Sequence, residues 1–401
     1  MATIIRQSYI DKIERYLGKE TIIVLVGQRR VGKSCMMKMI RDRKKADDSN
    51  NIIYIDKEKR EFDNIQTYQE LNDYIGEHFL SDKHNYILID EIQDIKKFER
   101  SIRSYRTEPN TDIIITGSNA RMLSNELSTL IGGRYKEIYI QSLSYNEFLE
   151  FHQLSDNDEA LALYIQYGGL PGLAKIGLEE DDAREYQMDI YHTVLLKDVI
   201  MRNQIRNVPF LENLVRFLAD NTGKLISANS ISKYMKSQGE SIASAAIINY
   251  ISFLCEAYIL HKVNRYDIHG KRIFETNDKF YFEDNGIRNA IAGGTREGDI
   301  EKVIENIIYQ HLIRLGYQVY VGQLQAGEID FICTKPGGER IYVQASYVIY
   351  DDTTREREFG NLRSIKDNYP KYVISMTPLL TKNDDNGITH LHLRKFLTEG
   401  I

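Results

Sequence analysis

Eight consecutive residues, Gly27-Gln28-Arg29-Arg30-Val31-Gly32-Lys33-Ser34, bring together the residue types that hold a chain of phosphates. Glycines at both ends let the backbone curl until its N–H groups converge on an anion, and Lys33 adds a point charge at the terminal oxygens. Ser34 offers a hydroxyl to Mg²⁺. The apolar run Thr21–Val26 precedes the loop and a helix-like run, Cys35 to Ile40, follows it. That context is what the pattern G-x-x-x-x-G-K-[ST] requires, so ATP or ADP with Mg²⁺ is the expected ligand. All eight residues are expected to line the site, with Arg29 and Arg30 read as solvated.

A second stretch, Tyr86-Ile87-Leu88-Ile89-Asp90-Glu91, is an apolar strand ending in two carboxylates. Downstream of a phosphate loop, Asp90 is suited to hold Mg²⁺ through water and Glu91 to orient an attacking water as base. A third, Ile113–Thr116, ends in Gly117-Ser118-Asn119 and resembles the sensor-1 position of AAA-type ATPases. Ser118 and Asn119 are both candidates to reach the γ-phosphate or the water. For the cation that neutralises transition-state charge, Arg134 in Gly132-Gly133-Arg134-Tyr135 is preferred over Arg121.

These residues need a frame that brings distant strand tips together. Five short β-rich runs, Thr21–Val26, Ile52–Ile55, Tyr86–Ile89, Ile113–Thr116 and Glu137–Gln141, alternate with polar or helix-like stretches. Such alternation predicts an α/β fold, a parallel sheet with helices on its faces. An amphipathic helix over residues 7–17 comes first, ended by Gly18. Residues 1–144 are read as an AAA-type P-loop ATPase core. Residues 145–205 are read as a helical lid broken at Gly168–Gly172, and 206–296 as a winged-helix domain with a hairpin around Asp267-Ile268-His269-Gly270. After a glycine-rich linker at 292–298, a last α/β domain spans 297–401.

At 401 residues, 42% hydrophobic and 27% charged with 6 Pro, the composition is that of a multidomain globular chain. A net charge of −6 supplies no global basic field for nucleic acid or an anionic membrane. Cys35, Cys255 and Cys333 are scattered and lack zinc-ligand spacing. No apolar run approaches the roughly 18–20 residues that cross a bilayer. The start Met1–Arg6 lacks a secretory hydrophobic region, so a cytoplasmic location is expected.

The whole sequence resembles a family of bacterial and archaeal AAA-type P-loop ATPases in which the core is followed by a winged-helix region and a C-terminal domain of unknown function. The resemblance is carried by Gly27–Ser34, Tyr86–Gln93, Ile113–Leu123, Gly132–Tyr135, Tyr167–Gly172, Lys279–Ile291 and Gly327–Tyr347. It implies an ATPase without implying its substrate.

The last domain is similar to restriction-endonuclease-like folds, with Glu305 and Asp330 as acids. An active member would need an acid at Gln344 and a lysine at Ser346. An amide is a poor anchor for Mg²⁺ and serine carries no charge, so nuclease activity is not expected. The second winged-helix helix, Ser241–Leu254, contains no Lys or Arg, which argues against base readout. A DNA contact would be limited to Arg265, His269, Lys271 and Arg272. Two readings follow. One is an oligomeric ATPase that remodels a protein or nucleic-acid partner; the other is a nucleotide-gated binding module with little turnover.

Overall fold

The structure is a computed structural model that describes residues 4–118, 133–240, 242–268, 272–273, 277–294, 297–324, 327–378, 383–385 and 387–401. The chain divides into two compact units, Met1–Gln141 with Glu256–Tyr258, and Ser142–Cys255 with Ile259–Ile401.

In the first unit, β1 (Ile22–Val26), β2 (Asn50–Asp56), β3 (His84–Asp90), β4 (Thr111–Gly117) and β5 (Tyr135–Tyr139) form a parallel sheet in the order β2-β3-β4-β1-β5. Each overlaps its expected run, β5 beginning and ending two residues earlier than Glu137–Gln141. β1 is buried at every position, so both faces of the sheet must be covered. Its side chains alternate accordingly. Ile22, Val24 and Val26 join Ile87, Ile89, Ile113 and Ile115 under α3 (Tyr68–His78) and α4 (Glu99–Tyr105), whose Leu71, Ile75 and Ile102 complete that core. Ile23 and Leu25 join Leu88 and Ile114 on the other face, with Ile10 and Ile13 of α1 (Gln7–Glu14) and Met37 and Ile40 of α2 (Lys33–Lys45). The order places β4 between β1 and β3. The phosphate loop after β1 and the acids ending β3 therefore flank the tip of β4, along the carboxyl edge where parallel sheets bind ligands.

In the second unit the longer helices of the middle region are Tyr145–His152, Asp158–Tyr167, Glu180–Val194, Val208–Asp220, Ala228–Ser237 and Ser244–Glu256. The stretch read as one wing makes two pairings. β6 (Leu260–Val263) and β9 (Lys279–Phe282) form an antiparallel ribbon. β7 (Arg265–Asp267) and β8 (Arg272–Ile273) instead join the edge of an eight-stranded sheet, β7 running parallel to β10 (Gln318–Leu324). That sheet continues through β11 (Gly327–Thr334), β12 (Arg340–Ala345), β13 (Lys371–Ser375), β15 (Ile388–His392) and β14 (Asn383–Asp385). Residues 265–267 and 272–273 thus pair across the seam expected at 296. A hairpin signal tells which strands neighbour in sequence, but not whose edge they extend.

Two of the family-marking stretches explain each other here. The Gly169 N–H donates to Asp284 Oδ2 at 2.8 Å, and Asp284 also caps the helix Asn285–Ala292 by accepting from Ile287 N. A Cβ on Gly168 would lie 2.5 Å from Asp284 Oδ1, and one on Gly286 would lie 2.1 Å from the Tyr167 carbonyl oxygen. The glycines of Tyr167–Gly172 and the Asp-Asn-Gly of Lys279–Ile291 are two halves of one close backbone approach. No described helix is long and apolar enough to cross a membrane.

Candidate nucleotide site

β1 feeds directly into Gly27, whose φ of 138° only glycine adopts freely. A Cβ there would also lie 2.2 Å from the Ile140 carbonyl oxygen, so the loop bends tightly against the residue that follows β5. Gly32, with φ 101°, turns the chain into α2 and leaves Lys33 and Ser34 in the helix's first turn. Their backbone N–H groups are unclaimed by the helix ladder and carry the positive end of its dipole.

The Lys33 side chain is buried at 4% exposure, and its ammonium donates to the loop carbonyls of Gly27 at 2.8 Å and Gln28 at 2.9 Å. Gln28 is buried too, and its Oε1 has no hydrogen-bond partner. Arg29 pairs with Glu58 at 3.5 Å with its side chain only 16% exposed, so it departs from the solvated reading, while Arg30 is exposed. The loop is braced from behind by Arg6, a buried guanidinium that donates to Val31 O at 3.2 Å and Gln141 O at 2.8 Å.

Thr116, at the end of β4, organises the acids. Its Oγ1 donates to Asp90 Oδ1 at 2.5 Å and accepts from the Glu91 N–H at 2.9 Å. The Ser34 hydroxyl faces the same Asp90 carboxylate and favours its charged form. Burial pushes the Asp90 carboxyl above its ordinary range, and the Thr116 and Ser34 hydroxyls pull it back. Glu91 sits in the left-handed region at φ 55°, which costs a non-glycine residue on the order of 1 kcal/mol. That turn aims its carboxylate along the β4 tip, where Oε2 accepts from Gln93 Nε2 and, at 3.4 Å, from Ser118 Oγ.

Two glycines in conformations that side chains rarely adopt, a buried ammonium and a serine hydroxyl beside a buried carboxylate form a set that fits a nucleotide phosphate chain with Mg²⁺. Lys33 and the first turn of α2 could hold the phosphates, and Ser34 and Asp90 the metal.

Ser118 lies beside Glu91, whereas Asn119 and Arg121 fall outside the described residues. Arg134 is exposed, and its carbonyl accepts from Ile22 N at 3.2 Å, next to the first residue of β1. Because β1 and β5 run parallel, Arg134 starts at the end of the sheet opposite Gly27, about 20 Å away at some 3.3 Å per strand residue. An arginine side chain does not span that distance, so a role within the same subunit has no path here.

Four residues of this region escaped the sequence reading. Asp56 ends β2 beside Asp90 in register, is buried, and accepts from Tyr54 OH at 3.2 Å. A carboxylate closing a β-rich run was a usable signal for it. Thr116 was seen only as a strand end, and Gln93 and Arg6 carry no local mark of their contacts. Replacing the Thr116 hydroxyl by a methyl in Thr116→Val keeps the shape but strips Asp90 and the Glu91 N–H of a partner. It should cost about 1–3 kcal/mol of stability and slow turnover more than it weakens nucleotide binding. Denaturant unfolding and steady-state kinetics on the one variant check both. Of the C-terminal candidates, Glu305 and Asp330 both contact the Lys279 ammonium, Gln344 Nε2 donates to Glu358 Oε2 at 3.1 Å, and the Ser346 hydroxyl is buried without a partner.

An AAA domain family matches residues 19–149, which contain the phosphate loop, both acids and Thr116, and a domain of unknown function (DUF8612) matches residues 158–298. An uncharacterized protein of Haemophilus influenzae is 35% identical over 93% of this chain and 94% of its own length. The chain belongs to the AAA-type P-loop ATPases. A second relative, the uncharacterized protein MJ1544 of Methanocaldococcus jannaschii, is 26% identical over 88% of this chain and 81% of its own length. Among solved structures, the Walker-type ATPase PABY2304 of Pyrococcus abyssi superposes with a TM-score of 0.52 at 15% identity, covering 72% of this chain and 96% of that one. At that identity the likeness speaks for the AAA-type fold alone.

Proposed function

We propose that this AAA-type ATPase hydrolyses ATP with Mg²⁺, as a homo-oligomer, and couples hydrolysis to a conformational change on a partner. One observation carries the reading: Thr116 hydrogen-bonds both Asp90 and the Glu91 backbone, with the Ser34 hydroxyl facing the same Asp90 carboxylate. It ties the phosphate loop to two carboxylates with different tasks. Lys33 and the first turn of α2 bind the β- and γ-phosphates; Ser34 and Asp90 hold the metal, Asp90 through water. Mg²⁺, when bound, neutralises charge on the phosphoryl oxygens. Glu91 orients the attacking water and takes its proton as general base. Ser118, beside it, helps fix that water, as Asn119 would from the following position. Arg134 serves the nucleotide of a neighbouring subunit, since its own is out of reach.

Support for a protein partner comes from the second unit: the helix Ser244–Glu256 has no Lys or Arg to contact phosphates. Phosphate release should therefore be insensitive to single- or double-stranded DNA, and native mass should rise in a non-hydrolysable ATP analogue relative to ADP. A several-fold stimulation by DNA would reassign the partner, and a monomer in both nucleotides would remove the oligomer.

The nucleotide-gated module has one observation in its favour, the hold of Gln93 and Ser118 on the Glu91 carboxylate. A tied base is idle until released. If that hold limits turnover, Gln93→Ala should hydrolyse ATP about 3- to 10-fold faster than the unaltered protein with similar ATP affinity. Unchanged or slower turnover would mean that Gln93 positions the base rather than restraining it.

A further inference from the structure

Lys279 is a charged residue at 3% exposure, and three carboxylates surround it. Its Nζ lies 2.8 Å from Glu305 Oε1, 2.7 Å from Glu328 Oε1 and 3.0 Å from Asp330 Oδ1. The anions come from the helix Ile300–Arg314 and from β11, while the lysine arrives on β9 of the separate ribbon. Burial opposes its charge, but the carboxylates prevail and hold the ammonium well above its ordinary range.

One ammonium answers only one of three negative charges. The rest is met piecemeal. Tyr281 OH donates to Glu305 Oε1 at 2.6 Å and Ala345 N donates to Asp330 Oδ2 at 3.0 Å. Burial raises the Glu305 carboxyl above its ordinary range, while the Lys279 ammonium and the Tyr281 hydroxyl draw it back. Three oxygens converging on one point with surplus negative charge are the donor set that a hard divalent ion uses, at about 2.0–2.6 Å. The spacings here are those of N–H···O bonds instead. Among the described residues no three His, Cys, Asp or Glu side chains are set to hold a metal as they stand.

We propose that Lys279 is a tethered cation occupying the place of a divalent ion in this pocket, and that its seating latches the β6–β9 ribbon to the C-terminal sheet. The latch runs on along β9. Phe282 N donates to Asn306 Oδ1 at 2.7 Å, and the Phe282 carbonyl accepts from Asn306 Nδ2 at 3.0 Å and Gln310 Nε2 at 2.6 Å. Gly223 closes the pocket's rim: a Cβ there would lie 2.8 Å from Glu305 Oε2. Two family-marking stretches thereby acquire one role, Lys279–Ile291 supplying the cation and Gly327–Tyr347 two of the anions. The latch is independent of the nucleotide chemistry.

The test uses nucleotide-free full-length protein. Thermal unfolding of Lys279→Ala is followed in Mn²⁺, in methylammonium chloride and in NaCl of equal ionic strength, beside the unaltered protein, Asp330→Asn and Lys279→Ala/Asp330→Asn. Lys279→Ala should unfold well below the unaltered protein and recover by about 3 °C or more in millimolar Mn²⁺, with a smaller rise in methylammonium. The unaltered protein and the double variant should respond no more than they do to NaCl. Should Lys279→Ala be insoluble, the same tethered-cation role requires that Mn²⁺ or methylammonium in the refolding buffer restore folded protein. A Lys279→Ala protein that responds to neither cation, folded or not, overturns the proposal. So does a Mn²⁺ response of the unaltered protein that Asp330→Asn abolishes, since the pocket would then take metal with the lysine in place.

Discussion

Glu91→Gln is expected to bind ATP as the unaltered protein does and to release phosphate at least about a hundredfold more slowly. The substitution keeps the shape of the side chain and can still meet Ser118, but an amide does not accept a proton from water. Binding survives because the phosphate loop, Lys33 and Ser34 are untouched, as is the Glu91 N–H to Thr116 bond. Lys33→Ala separates the two properties from the other side. Its ammonium is buried against the Gly27 and Gln28 carbonyls, so truncation removes the charge that binds the phosphates and the brace that shapes the loop. Detectable ATP binding should be lost. Fluorescent-nucleotide titration alongside phosphate release distinguishes the variants, and wild-type turnover by Glu91→Gln would remove Glu91 from the base role.

Arg134→Ala should lower turnover by about 10³ or more while leaving ATP affinity nearly unchanged, because a finger stabilises charge only in the transition state. The position of Arg134 at the far end of the sheet makes the expectation sharper than strand spacing alone does. The residue must act across subunits if it acts in catalysis at all. Arg134→Ala and Glu91→Gln proteins, each nearly inactive, should therefore recover activity when mixed, as some interfaces pair an intact base with an intact arginine. Near-normal turnover of Arg134→Ala would reduce it to an exposed surface charge worth roughly 0–1 kcal/mol. A mixture that stays inactive after confirmed co-assembly would exclude the finger between subunits.

The parallel sheet was legible because buried strands between two helical layers have to be continuous apolar runs, and residues such as Ile113–Ile115 and Ile87–Ile89 can be little else. The phosphate loop was legible because its chemistry is local: glycine, lysine and serine must sit at fixed offsets in one turn. Contacts closed over long sequence distances left no such trace. Arg6 reaches Val31 and Gln141, and β7 pairs with β10; nothing in the flanking residues reports either partner. Thr116 was readable as the end of a strand, but its bond to Asp90 depends on β4 lying between β1 and β3, which is a property of strand order. Arg134 shows the converse: its place in the chain left action within or between subunits open, and strand direction sets it at the end of the sheet opposite the phosphate loop.

The most informative measurement is phosphate release from ATP by the full-length protein in Mg²⁺, in EDTA, and with Lys33→Ala in Mg²⁺. Turnover is expected only from the unaltered protein in Mg²⁺, with both other reactions at background. Equal release by Lys33→Ala, or release undiminished by EDTA, would contradict hydrolysis at this phosphate loop with a metal held by Ser34 and Asp90.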